Sequence, residues 1–286
     1  MIKVDQEKCN ACGICVRICH EYCLHLENDI LIIDYKYCST CTQCIAVCPK
    51  QALTWDDVKP EVFNRSLYPD PVQFAELLME RRTVRDFKDK KIERALLEEI
   101  AGYAVYAPTH NFNLRVIIID NENIISLADS IVLRSSNSIY KWFYKPGIIN
   151  ILVRLFTPGL ESEFLQAKPK LESARKRDKA FRTDPAAIIL IIGNKRIPLS
   201  LESAQYALYN IDLYAQTKGL ACRNLVGNQA MLNRNRYFRR LTGLKRNEKI
   251  LGTILLGYPA VKFRNKVLGK KIGIQWNASL VDHESV

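Results

Sequence analysis

Apolar periodicity divides the chain near residue 70. Beyond that point Phe74, Leu77 and Leu78 recur at helical spacing. Asp70 offers an N-cap and Pro71 suits the first helical position, so a helix is predicted from Pro71. Leu96, Leu97, Ile100, Ala101 and Ala104 predict a second helix, and Arg115–Ile119 reads as a strand. Two unbroken apolar runs, Ala187–Ile192 and Thr253–Leu256, read as buried strands. Between them a helix capped by Ser200 turns Ala204, Ala207, Leu208, Ile211 and Ala215 inward, and Gly219 ends it. Helices interleaved with apolar strands predict a layered domain of α/β or α+β type.

Before residue 70 the pattern is different. Asn28-Asp29 reads as a turn, and the β-branched run after it reads as a strand. Residues 56–70 contain Pro60, Pro69 and the carboxylates Asp56, Asp57, Glu61 and Asp70, and no cysteine. That segment reads as a linker. The first residues lack the apolar core of a secretory signal. No window reaches the roughly 18 uncharged apolar residues of a membrane span, and the stretch Gly147–Phe156 is broken by Arg154. A soluble, cytoplasmic protein without a membrane span is the expectation.

Composition changes the picture at the cysteines. Nine of the ten lie between Cys9 and Cys48, and Cys222 stands alone. A disulfide framework belongs to short secreted chains, so clustering in one corner of a 286-residue chain points to metal or cluster ligation. The first run is Cys9, Cys12, Cys15 and Cys19; the second is Cys38, Cys41, Cys44 and Cys48, followed by Pro49. Structural zinc prefers two close cysteine pairs with one long spacer, and two runs of four depart from that pattern. Residues 1–55 therefore resemble bacterial dicluster ferredoxins over their whole length. The resemblance implies two [4Fe–4S] clusters. In such ferredoxins the fourth cysteine of each run serves the other cluster. The implied sets are Cys9, Cys12, Cys15 and Cys48, and Cys38, Cys41, Cys44 and Cys19. His20 stands where proline usually follows the first run. Cys23 is surplus and reads as a small buried hydrophobe.

In the remainder four segments stand out in order: Arg81-Arg82-Thr83-Val84-Arg85-Asp86-Phe87, Ala107-Pro108-Thr109 through Asn113, Lys218-Gly219-Leu220 with Gly227 beyond, and Leu256-Gly257-Tyr258-Pro259. Their order and spacing resemble the flavin-dependent nitroreductase family. The whole chain is similar to ferredoxin–nitroreductase fusions. The implied fold class is α+β: a small ferredoxin-like domain with two clusters (1–55), a linker (56–70), and a three-layer α-β-α domain (71–286). That domain would bind FMN at a homodimer interface.

The resemblance assigns Arg81, Arg82 and Thr83 to the FMN phosphate and ribityl chain, with Arg85 sharing the work. Guanidinium forks suit phosphate oxygens, and the plainer reading is a solvated basic helix end. Pro108, Thr109, Asn111 and Asn113 match a loop that meets flavin from the partner subunit, and His110 lies among them. Val226 and Gly227 match positions beside the flavin ring, where a glycine-requiring tight turn is the plainer reading. Lys270 and Lys271 match a second phosphate contact. Residues 130–180, with Tyr140, Trp142, Phe143, Tyr144, Leu155 and Phe156, match nothing in the family and read as a lid insertion, as dimer packing, or as a membrane-surface helix.

Charge adds one further feature. The formal net charge is +12. Two clusters, each contributing about two negative charges with their thiolates, would lower it to about +8. Arg234, Arg236, Arg239, Arg240, Lys245 and Arg246 concentrate the excess. They read as a solvated face or as a dock for an acidic electron carrier. No nucleic-acid-binding module is recognised.

The function implied is an FMN-dependent, nitroreductase-like oxidoreductase. It would pass electrons from an external low-potential donor such as ferredoxin, through the clusters and FMN, to a small organic acceptor, nitroaromatic or otherwise flat. A redox sensor or electron carrier without turnover is one alternative. A flavin enzyme of another reaction, such as reductive dehalogenation or dehydrogenation, is another. No catalytic side chain is assigned.

Overall fold

A computed structural model of the chain describes residues 1–108, 114–144, 147, 151, 161–194, 196–225, 227–269 and 272–274, the side chains of 161–164 excepted. The N-terminal unit is built from two copies of one backbone frame. Its elements are β1 (Ile2–Val4), α1 (Ile14–Ile18), β2 (Leu24–Glu27), β3 (Ile30–Ile33), α2 (Gln43–Val47) and β4 (Leu53–Trp55). β1 pairs antiparallel with β4, and β2 with β3.

The two copies match in detail. Each cysteine run begins with left-handed turns, at Ala11 and Gly13 in the first and at Thr40 and Thr42 in the second. Tyr22 and Gln51 repeat that conformation after the helices. The Asp5 amide donates to the Ala52 carbonyl at 2.7 Å, and the Asp34 amide to the Cys23 carbonyl at 2.8 Å. This cross-exchange ties the two halves around a core of Ile2, Leu24, Leu31, Leu53 and the cysteines.

The larger unit is organised by a four-stranded antiparallel sheet of order β5-β6-β8-β7: β5 (Arg115–Ile119), β6 (Ala187–Asn194), β7 (Ala221–Asn224) and β8 (Glu248–Gly257). β6 is apolar at every inner position because both its faces are covered. Ile189 and Ile191 pack with α4 (Arg94–Gly102) and α7 (Ser200–Thr217), through Leu97, Ile100, Ala204, Leu208 and Ile211. Ile188, Leu190 and Ile192 pack on the opposite side with α5 (Glu122–Tyr144), α8 (Gln229–Arg234) and α9 (Arg236–Leu241), through Ile125, Ala128, Val132, Leu232 and Phe238. The result is three layers, helix on sheet on helix, as expected from the alternation of elements. The remaining helices are α3 (Pro71–Glu80) and α6 (Glu161–Arg177).

Local chemistry explains the element ends. Asp70 caps α3 by accepting from the Val72 and Gln73 amides, each at 2.8 Å, and Gln73 completes a capping box. Gly219, at φ +72°, closes α7. Its amide donates to Gln216 and that of Leu220 to Ala215, a Schellman motif. Ser200 does not cap α7. The helix is entered through Leu199 in a left-handed conformation, and the Ser200 hydroxyl donates to the Ile197 carbonyl at 3.0 Å. The span read as an insertion begins inside α5, where Ile131, Val132, Leu133 and Ser136 are buried. Further along, Tyr140 joins α5 to α6, donating to Glu172 at 2.9 Å beneath the Arg175 guanidinium. No helix among the described residues is long and apolar enough to cross a membrane.

Candidate functional site

The segment 81–88 leaves α3 in an extended path and docks along the open edge of the sheet. The Val84 amide donates to the Cys222 carbonyl of β7 at 3.1 Å. Lys88 donates to Tyr258 at 2.8 Å, and Ala260 to Asp86 at 2.9 Å. Phe87 is buried against Gly257, where an added Cβ would lie 2.8 Å from the ring. Thr183 fastens the other side: its hydroxyl accepts from the Phe87 amide at 2.7 Å and donates to the Arg85 carbonyl. Two motifs far apart in sequence, the arginine segment and Leu256–Pro259, are thus in contact.

The structure separates the four residues named in that segment. Arg81 turns inward, its Nη1 lying 3.5 Å from the carboxylate of Asp212, which α7 buries. Burial raises the Asp212 pKa, opposed mainly by the Arg81 charge. Arg82 donates to the Met79 and Arg81 carbonyls at 2.5 and 2.8 Å, completing the end of α3. It also lines a cavity of about 340 Å³ with Lys88, Asp212, Leu220, Cys222 and Lys262. Arg85 remains exposed on the far side of the strand, beside Thr83. Cys222 is packed core, its thiol pushed up by burial.

One arginine carries no sequence signal. Arg223, on β7, is depressed from its ordinary value first by burial, then by the nearby charges of Arg85 and Arg177, with Asp129 opposing. Asp129 is itself engaged, accepting from the amides of Ala180 and Phe181. Among the described residues none of Arg85, Arg177 and Arg223 has an ion-pair partner. Arg85 and Arg177 act on the charge of Arg223 with Asp129 as the carboxylate opposing them, and guanidiniums in excess over carboxylates suit an anion.

Pro108 is exposed at the end of the loop that follows α4. Gly227 has an ordinary backbone conformation, and nothing lies within 4 Å of a built Cβ. No left-handed turn therefore requires glycine there. Thr109, His110, Asn111, Asn113, Val226, Lys270 and Lys271 lie outside the described residues, as do Leu155 and Phe156.

In the N-terminal unit Cys9, Cys12, Cys15 and Cys48 line one enclosed cavity, closed by Leu26, Leu31 and Leu53. The fourth cysteine of the second run thus joins three of the first. Cys44 is buried, and its thiol is pushed up to about 12 by burial first and then by Cys41, Cys38 and Cys15. Cys19 Sγ lies 3.4 Å from Cys23 Sγ, and Cys38 is adjacent to Cys23. Among the described residues no three His, Cys, Asp or Glu side chains converge as for a single metal ion.

The family model described as "Nitroreductase family" matches residues 78–258. A solved structure shares the fold, and a second is reported beside it. A nitroreductase with bound FMN from Desulfitobacterium hafniense DCB-2 is 17% identical, with 70% of this chain and 97% of that one covered and a TM-score of 0.52. A nitroreductase with bound FMN from Bacteroides fragilis NCTC 9343 is 16% identical, with 70% and 98% covered and a TM-score of 0.48. No curated protein matches the chain.

Proposed function

Because the chain belongs to the nitroreductase family, we propose that it is an FMN-dependent oxidoreductase fed by two [4Fe–4S] clusters and acting on a small organic acceptor. The observation that carries the flavin half is the family match over residues 78–258 together with the docking of the arginine segment on β7 and the end of β8. Arg85, Arg177 and Arg223, none with an ion-pair partner among the described residues, offer cations to the phosphate. A phosphate supplies the charge those groups lack, and planar guanidinium forks match its oxygens. The FMN bound to the Desulfitobacterium hafniense nitroreductase of the same fold agrees with that chemistry.

The donor sets fit clusters. Four cysteines around one cavity, drawn from both runs, match the shared ligation of dicluster ferredoxins. A cubane spreads its thiolates more widely than a single ion does, so convergence on one point is not required of them. A buried thiol such as that of Cys44 gives up its proton when a metal takes its place.

When bound, the clusters supply single electrons and FMN accepts them singly or in pairs for delivery to the acceptor. The chain's own residues do the positioning. Arg85, Arg177 and Arg223 hold the phosphate, and Thr83, whose carbonyl lies 3.5 Å from Arg85 Nη1, meets the ribityl chain. Asp212 draws Arg81 inward and fixes the start of the segment. Thr183 and Gly257 hold that segment against the sheet. Pro108, Thr109, Asn111, Asn113, Val226, Gly227, Lys270 and Lys271 complete the proposed flavin contacts, and residues between α5 and α6 are the proposed lid. The active form is a homodimer in this reading.

The test is anaerobic purification with iron, sulfide and flavin measured on one sample, then reductive titration with dithionite. About eight irons and one FMN per chain, all reducible, are expected. Clusters without flavin would overturn the reductase reading and leave an electron carrier or sensor. Flavin without iron would remove the electron-feeding half.

A further inference from the structure

The basic cluster at the N-terminal end of β8 forms a basin rather than a plain solvated face. The basin is a concavity of about 930 Å³, within the size range of small-molecule sites. Its cations come from four directions. Arg234 ends α8; Arg236, Arg239 and Arg240 lie on α9; Arg246 comes from the turn that follows; Lys249 is the second residue of β8. Lys245, counted in the sequence cluster, lies outside the lining.

The frame is rigid. Asn233 exchanges two hydrogen bonds of 2.8 Å with the Ile250 backbone. Arg239 is pinned by the Lys245 and Glu248 carbonyls at 3.0 and 3.1 Å. Among the described residues Glu248 is the one carboxylate in the lining, and it is already taken. Arg115, which lies outside the lining, grips it with two bonds of 2.8 and 2.7 Å. Among the described residues Arg234, Arg236, Arg240, Arg246 and Lys249 have no ion-pair partner.

We propose that this basin binds a small ligand carrying at least two phosphate groups. Several uncompensated cations around one concavity need more than a single negative charge. Five of the six are arginine, whose fork holds phosphate oxygens two at a time. The concave shape favours a small ligand over a flat docking partner. Among the described residues no aromatic side chain lines it, so they offer no stacking platform of the kind a single-strand nucleic-acid groove uses. The basin is independent of the flavin reading, because none of its residues belongs to the proposed flavin contacts.

The experiment is calorimetric titration of the full flavin-loaded chain with inorganic tripolyphosphate, and separately with ATP. One site per chain is expected, weakening as salt is added. Equal affinities assign the site to the bare phosphates; tighter ATP binding assigns it to a nucleotide. The pair Arg236→Gln and Arg240→Gln should weaken binding tenfold or more, about what losing charged hydrogen bonds gives. Arg234→Gln with Arg246→Gln should act similarly, and flavin content and circular dichroism should be unchanged. Removing Lys90 and Lys91 instead should leave binding intact. Wild-type affinity in both arginine pairs would overturn the proposal. So would failure of both phosphates to bind where an acidic ferredoxin or oligouridylate does.

Discussion

Glu248 illustrates how one residue's surroundings set its chemistry. Arg115 holds its carboxyl down to about 2, from an ordinary value near 4.5, first through their hydrogen bonds, with the Lys245 amide and both cations adding to it. A carboxylate lowered in the folded state stabilises the fold above its unfolded value and loses that contribution as pH falls towards the folded one. Arg115→Gln is therefore expected to lower stability at neutral pH. The gap from wild type should narrow between about pH 4.5 and pH 2. Urea unfolding across that range reads it; a constant gap would sink the assignment. Cys23 offers a second residue-scale prediction. Its thiol is pushed up to about 12, mainly by burial and then by Cys19. Its counterpart in the other half of the frame is Ala52, so the frame does not need a sulfur there. Cys23→Ala should keep the full iron content, whereas Cys19→Ala should lose iron from one cluster.

At the scale of elements, the decisive contact is the docking of segment 81–88 on the end of β8. Gly257→Ala drives a Cβ to 2.8 Å from Phe87 Cδ1 and 3.1 Å from its Cβ. Phe87 is buried and cannot swing away, so a cost of about 1–3 kcal/mol is expected. Flavin retention should fall with it, because Arg85 rides on the same segment. Chemical denaturation and flavin content measured on the same variant check both; a stable variant that retains flavin would show the contact to be slack. The elements that carried strong local signals were legible. β6 could be read because burial on both faces makes it apolar throughout, and α3 and α7 because a cap or a glycine marks their ends. β7 was not, since Ala221–Asn224 is short and half polar. The same brevity hid Arg223: a lone arginine has no spacing to betray it, and its role depends on Arg85 and Arg177 meeting it in space. α5 went unrecognised because its buried face shares the sequence with a polar one and an aromatic end that suggested a lid.

At the scale of the whole molecule, α3 is unfinished in a single chain. It is well capped, yet none of its residues is buried, and Val72, Phe74, Leu78 and Met79 are exposed. The segment after β8 lies beside it, tied by an ion pair between Lys266 and Glu76, and exposes Val261, Phe263, Val267 and Leu268. An amphipathic helix gains most of its stability from covering its apolar face. Exposed apolar side chains on two neighbouring segments point to an association site. A second copy of the chain is the occupant this reading requires, since the proposed flavin site draws on a loop from a partner. Light scattering in line with gel filtration should give about twice the 32.8 kDa chain mass. Phe74→Glu places a charge in the middle of the exposed face and should shift the protein towards monomer. Flavin should be lost in step with dimer, while iron, which the proposed cluster sites place wholly within the N-terminal unit, should stay. A monomeric wild type that keeps its flavin would remove the partner from the site. A variant that loses iron together with flavin would mean that the two units do not fold independently.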